Sequence, residues 1–215
     1  TLLSRVLSPK DAGREEVTRW DVRLPWDAIV RDSVLEMMGG QLGAAFSSLS
    51  GGGDAQLFEC AAIISAEGAA PQIVHSDTVL LADPTLHTAF VALQDVLTHH
   101  GPTRFLKATH HGAFASVSHD KLARDDTGFC GAALSVNAKL NSGDCTLYDS
   151  RTLHCGGPHL GSPLPTSATE RVLFTLSFRH AGTNEAELSN ENVHGAGSIL
   201  PYVAAMQIRL GDLRP

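Results

Sequence analysis

Between Trp26 and Leu49 the apolar positions Val30, Val34, Met37, Met38, Leu42, Ala45, Phe46 and Leu49 recur at intervals of three and four, the period of one face of an α-helix. Pro25 stands near the first turn, where a missing amide proton costs nothing. Gly39-Gly40 weakens the middle, since each glycine costs on the order of 1 kcal/mol against alanine, so a break there fits the pattern. The apolar stripe reads as a face that packs on a sheet. Gly51-Gly52-Gly53-Asp54 then ends the helical part; without the lysine and Ser/Thr of a phosphate-binding loop it reads as a turn. Beyond it the period changes. A near-continuous apolar run covers 57–65, the segment around His75 reads as a strand, and further strand-like runs fall at 88–96, 104–106, 133–140, 145–148, 152–155 and 171–179. Short strands separated by Gly and Pro turns, behind one leading helix, predict a mainly β chain closed into a sandwich or barrel. Residues 20–25 read as an extended lead, 1–16 give no firm element, and 197–213 read as a short helix packed outside. No repeat or linker interrupts the chain, so residues 1–215 are expected to form a single domain.

Candidate chemistry centres on Gln72-Ile73-Val74-His75-Ser76-Asp77-Thr78. On a strand, residues two apart point to the same face, so His75 and Asp77 would stand side by side. An imidazole and a carboxylate are two members of the 2-His-1-carboxylate triad that holds iron(II) on one side and leaves the other open. The second histidine is best supplied by His154, at the end of Gly143-Asp144-Cys145-Thr146-Leu147-Tyr148-Asp149-Ser150-Arg151-Thr152-Leu153-His154. His110, His111 and His159 compete for that place, but His110 reads as structural and His159 lies past Gly156-Gly157, where the strand should have ended. Arg171 leads the last strand run and could fork onto a carboxylate, with Thr175 on the same face. Gln72, three before His75, is either a polar contact to a co-substrate or a solvent-facing residue. His87, His99, His100, His119, His180 and His194 read as surface or capping residues.

These segments, in this order, resemble the phytanoyl-CoA dioxygenase family of iron(II)- and 2-oxoglutarate-dependent oxygenases. The resemblance rests on His75-Ser76-Asp77, on Gly101-Pro102-Thr103-Arg104-Phe105-Leu106-Lys107-Ala108-Thr109-His110, on Gly143-Asp144 running to His154-Cys155-Gly156-Gly157, and on Arg171 at the head of a strand. It implies a double-stranded β-helix, or jelly roll, with a leading amphipathic helix and short flanking helices. It implies His75, Asp77 and His154 as catalytic metal ligands for Fe(II), with O2 as co-substrate. Arg171 would anchor the far carboxylate of 2-oxoglutarate, helped by Thr175 and Gln72. Leu173 departs from the family pattern, in which a serine often stands two residues after the arginine. Asp77 occupies the position that halogenating relatives leave to a small residue, which favours hydroxylation. Two rival readings keep the same residues: a jelly-roll binding protein without turnover, and a zinc hydrolase on a cupin-like barrel.

Composition narrows the partners. A net charge of −7, with 16 basic against 23 acidic residues and no Lys/Arg cluster, argues against a nucleic-acid surface. No apolar run approaches the roughly 18 residues that span a bilayer, so no membrane partner is expected; a small-molecule substrate is what the resemblance implies. Cys60, Cys130, Cys145 and Cys155 lack C-x-x-C spacing and read as reduced, small buried hydrophobes, in keeping with a cytoplasmic location. The segments 111–131 and 159–169 are longer than a barrel needs, and loops on a rigid barrel are where substrate selection is usually placed.

Overall fold

The computed structural model describes residues 6–7, 18–112, 115, 134–161, 170–183 and 207–214. In chain order it builds strands β1 (Val6–Leu7) and β2 (Arg19–Arg23), helices α1 (Ala28–Met38) and α2 (Gln41–Leu49), and strands β3 (Gln56–Ala66) and β4 (Leu86–Ala92). Strands β5 (Thr103–Leu106), β6 (Ser135–Asn137), β7 (Cys145–Asp149), β8 (His154–Gly156) and β9 (Glu170–Arg179) follow. Six strands form one antiparallel sheet in the order β1-β2-β3-β9-β4-β7, and three form a second in the order β6-β5-β8. The expected mainly β jelly roll is the observed architecture.

The expected helix is two helices. Asp27 caps α1 by accepting the Val30 amide at 3.0 Å. At Gly40 the backbone becomes extended (φ −102°, ψ −156°) and α2 begins one residue later. Their buried faces, Val34, Met38 and Phe46, lie on the outer face of the large sheet against Leu57, Leu176 and Phe178, with the Phe46 and Phe178 rings 4.6 Å apart. The expected tail helix is a 3-10 turn over Leu210–Leu213, whose two leucines close the same core; residues 197–206 of the expected helix lie outside the described residues.

The inner face of the large sheet packs against the small one. Phe90, Ala92, Tyr148 and Leu173 meet Phe105 in a second apolar cluster. Alternation along β9 divides these roles: Leu173, Thr175 and Ser177 face inward with Arg171, whereas Phe174, Leu176 and Phe178 face the helices. On β3 the alternation is broken once. A register shift between Leu57 and Glu59 leaves Leu57 on the helix side and turns Glu59 inward, as a β-bulge does.

The segment around His75 is not a strand. It pairs with β8 through one antiparallel bridge, His75 to His154, in which each backbone amide donates to the other's carbonyl at 2.9 and 2.7 Å, and through the Gln72 amide, which donates to the Gly156 carbonyl at 2.9 Å. Chain pairing ends there because Asp77 and Thr78 turn to donate their amides to the Ser150 carbonyl.

Candidate metal centre

His154 is carried by β8 and His75 by the bridged segment beside it, which brings their rings to a centroid distance of 4.6 Å. Asp77 Oδ1 lies 3.8 Å from His75 Nε2 and 3.6 Å from His154 Nε2. All three donor atoms fall within 4.8 Å of one another, the one such cluster of His, Cys, Asp and Glu among the described residues. The far side of each ring fixes its tautomer. His75 Nδ1 donates to the Ile73 carbonyl at 2.8 Å and His154 Nδ1 to the Thr152 carbonyl at 2.9 Å. In the neutral ring that leaves the lone pair on each Nε2, the atom that faces Asp77 across the shared gap. Asp77 is held in a matching way. Tyr148 Oη donates to Oδ2 at 2.8 Å, leaving Oδ1 toward the imidazoles. Two imidazoles and one carboxylate converging on one gap are a donor set suited to iron(II).

The surroundings are apolar and aromatic. Phe105 stacks on His154 at 5.6 Å, Tyr148 meets its edge at 5.0 Å and Phe90 at 6.4 Å. Burial first, and then the charge of Asp77, hold the Tyr148 phenol well above its ordinary range, so it stays a donor. Behind the site Arg151 pairs with Asp149 at 2.6 Å and donates to the Leu81 and Ala82 carbonyls at 2.6 and 2.9 Å. This clip pins the loop after Asp77 to the β7–β8 turn.

Farther along the inner face of β9, Arg171 is 2% exposed. It donates to the Gly101 carbonyl and, at 3.0 Å, to Ser65 Oγ, which also takes a 3.0 Å bond from Arg19 Nε. Burial first, and then the neighbouring Arg19 charge, lower Arg171 to about 9. Arg171 Nε and Thr175 Oγ1 are buried with no hydrogen-bond partner among the described residues. Buried polar atoms are normally satisfied, so an orphaned donor and a hydroxyl on one inward face fit an acceptor-rich anion such as a carboxylate. Leu173, between them, belongs to the apolar cluster. Gln72 is engaged otherwise: its Oε1 accepts the Gly156 amide at 2.8 Å and braces the His75 segment on β8.

Several sequence expectations need correction. His87 is 5% exposed and buried rather than a surface or capping residue, whereas His100, though 4% exposed, does cap, with its Nδ1 3.2 Å from the Leu97 amide. His87 sits 3.1 Å from His180 Nε2, and burial pulls it down to about 4. His159 is buried beside His100, their rings 5.5 Å apart, and both are lowered chiefly by burial. Cys145 is exposed, whereas Cys60 and Cys155 are buried as expected. His119, His194, Cys130 and most of the two long segments lie outside the described residues. Sequence reasoning missed Tyr148, Arg19, Ser65 and Glu59. None of them carries a local signal, because each acquires its role from a partner on another strand.

The model of the phytanoyl-CoA dioxygenase (PhyH) family matches residues 16–163, a stretch that contains His75, Asp77 and His154. The chain belongs to the phytanoyl-CoA dioxygenase family. Arg171 and Thr175 lie beyond the matched stretch. Solved structures with a similar fold include enzymes described as non-heme and alpha ketoglutarate dependent. This family member is similar to SnoK, a non-heme alpha ketoglutarate dependent carbocyclase from nogalamycin biosynthesis, with TM-score 0.60 and 20% identity over 83% of this chain and 69% of that one. It is similar to the epimerase SnoN from the same biosynthesis, with TM-score 0.55 and 21% identity over 84% of this chain and 66% of that one. HygX from Streptomyces hygroscopicus, with nickel and 2-oxoglutarate bound, gives TM-score 0.59 and 15% identity over 85% of this chain and 76% of that one. At these identities the likeness is one of fold. A search of curated proteins finds no match. Among the described residues no helix is long and apolar enough to cross a membrane.

Proposed function

We propose that this chain is an iron(II)- and 2-oxoglutarate-dependent oxygenase that hydroxylates a C–H bond of a small or medium organic substrate. The observation that carries the reading is the convergence of His75 Nε2, His154 Nε2 and Asp77 Oδ1, with both Nδ1 protons committed to backbone carbonyls. Iron(II) with 2-oxoglutarate and O2 supplies the oxidation of an unactivated C–H bond, with succinate and CO2 as co-products. The protein's part is placement. His75, Asp77 and His154 would hold the metal, and Tyr148 keeps the carboxylate turned so that one oxygen faces the imidazoles. Arg171 Nε and Thr175 Oγ1 offer the donors for the far carboxylate of the co-substrate. Gln72 acts as a brace for the His75 segment. Phe90, Phe105 and Leu173 form a dry wall that keeps water from the reacting centre. With Asp77 in place of a small residue, the triad favours hydroxylation over halogenation.

The test is an anaerobic titration of metal-free protein with iron(II) and 2-oxoglutarate, followed by the visible charge-transfer band of a chelated 2-oxo acid. The wild type should develop the band and His154→Ala should not. Folded wild-type protein that shows no band, and no succinate once oxygen is admitted, would overturn the assignment.

A further inference from the structure

The inner face of the large sheet carries a polar row that the metal centre does not explain. Glu59 on β3 stands directly opposite Ser177 on β9, Ser177 opposite Thr88 on β4, and Thr88 opposite Tyr148 on β7. The four residues make one straight line across four adjacent strands, and its last member is the residue that donates to Asp77. All are buried: Glu59 is 6% exposed, Ser177 0%, Thr88 3% and Tyr148 8%. Glu59 joins the row only because of the bulge beside it. With regular alternation it would share the helix-facing side of Leu57, and bulges next to functional sites re-aim side chains in this way.

The bonds along the row have a direction. Ser177 Oγ donates to Glu59 Oε2 at 2.9 Å, which uses its single proton. At its 2.9 Å contact with Thr88 it must therefore accept. Thr88, having donated, accepts from Ser150 Oγ, also at 2.9 Å. The Ser150 carbonyl in turn receives the amides of Asp77 and Thr78 at 2.8 and 3.2 Å. The row thus reaches the Asp77 backbone by way of Ser150 and ends beside Tyr148, the donor to the Asp77 carboxylate.

We infer that Glu59 is a positioning residue for the metal-binding carboxylate of Asp77, acting through the hydroxyls of Ser177, Thr88 and Ser150. The inference rests on the reading of Asp77 as a metal ligand. Glu59 is the acceptor that gives the hydroxyl chain one polarity. Without that acceptor Ser177 and Thr88 can reverse, Ser150 loses its fixed orientation, and the Asp77 turn is held less firmly. Partners outside the ligand shell commonly change metal affinity 10- to 100-fold.

The experiment titrates cobalt(II) into metal-free wild type, Ser177→Ala, Thr88→Val, Glu59→Leu and Glu59→Gln. It reads the dissociation constant and the ligand-field absorption spectrum, with a thermal melt of each protein. Ser177→Ala, Thr88→Val and Glu59→Leu should bind cobalt on the order of tenfold more weakly with a shifted spectrum. Glu59→Gln, whose amide oxygen still accepts from Ser177, should remain within about threefold of wild type. Ser177→Ala removes one atom, so it carries the test even if Glu59→Leu does not fold. Wild-type affinity and a superimposable spectrum in Ser177→Ala and Thr88→Val would overturn the inference and leave the metal centre standing. Glu59→Gln impaired to the level of Glu59→Leu would overturn it too, because the acceptor is retained. A folded wild type that binds no cobalt would overturn the metal centre and this role with it.

Discussion

Replacing Tyr148 with phenylalanine isolates a single interaction. The phenol donates to Asp77 Oδ2 at 2.8 Å, and its ring packs against Phe90 at 5.2 Å, Phe105 at 4.9 Å and His154 at 5.0 Å. Phenylalanine keeps those ring contacts and removes only the hydroxyl. A hydrogen bond to a charged acceptor contributes about 1.5–3 kcal/mol, and here it holds the ligand oxygen in place rather than binding the metal itself. If the whole of that free energy is spent on orienting Asp77, metal affinity falls roughly 10- to 150-fold. Stability should change little, because the Asp77 side chain is 20% exposed and water can take the vacated position. The assay is a competition titration of iron(II) or cobalt(II) against a chelator of known affinity, alongside thermal melts of both proteins. A dissociation constant within about threefold of wild type would refute the reasoning. Asp77 would then be oriented by its backbone alone.

Three further outcomes are expected. Arg171 titrates at about 9 without a bound anion, through burial first and then the Arg19 charge, and a bound carboxylate favours its charged form. Affinity for 2-oxoglutarate should therefore be full below about pH 9 and fall as pH rises beyond it, by up to tenfold per unit. Calorimetric binding that stays flat to about pH 10 would show that Arg171 keeps its charge beyond that value, and unchanged co-substrate affinity in Arg171→Gln would remove it from the site. His87 is lowered from 6.5 to about 4, chiefly by burial, so the folded protein keeps it neutral while the unfolded chain takes up a proton below about 6.5. Its contribution is complete above that pH and is lost as pH falls toward 4, a change on the order of 3 kcal/mol. Denaturant melts of His87→Gln should show a flatter dependence between those pH values, and a slope unchanged from wild type would exclude His87 as the source. Gly101 has φ +66°, and a Cβ there would lie 2.5 Å from the Gly157 carbonyl oxygen and 2.6 Å from that of Pro158. Gly101→Ala should cost about 2 kcal/mol or more and weaken 2-oxoglutarate binding, since the Gly101 carbonyl seats Arg171. Wild-type melting and co-substrate affinity in this variant would refute the role of that close approach.

Periodicity was enough to locate the main elements of this fold. The three-and-four spacing of Val34, Met38 and Phe46 marks the face that α1 and α2 bury, and Gly39-Gly40 marks the break between them. The inward and outward residues of β9 follow from simple alternation. His75, Asp77, His154 and Arg171 were legible as candidates because metal ligands and carboxylate anchors come from few residue types in recognisable spacings. Alternation failed on β3, where one extra residue turns Glu59 inward. It failed also at His75, whose neighbour relation to Asp77 comes from a turn onto Ser150 rather than from a strand. The buried His87 shows the same limit, since polar residues look like surface until their covering elements are known. Composition and period are local and act within a few residues, so the sequence by itself determined the elements, their faces and the ligand types. Strand register and bulges act between residues far apart in the chain. Only the tertiary structure decided that Tyr148 orients Asp77, that Arg19 and Arg171 share Ser65, and that a row of hydroxyls from Glu59 ends at the candidate metal centre.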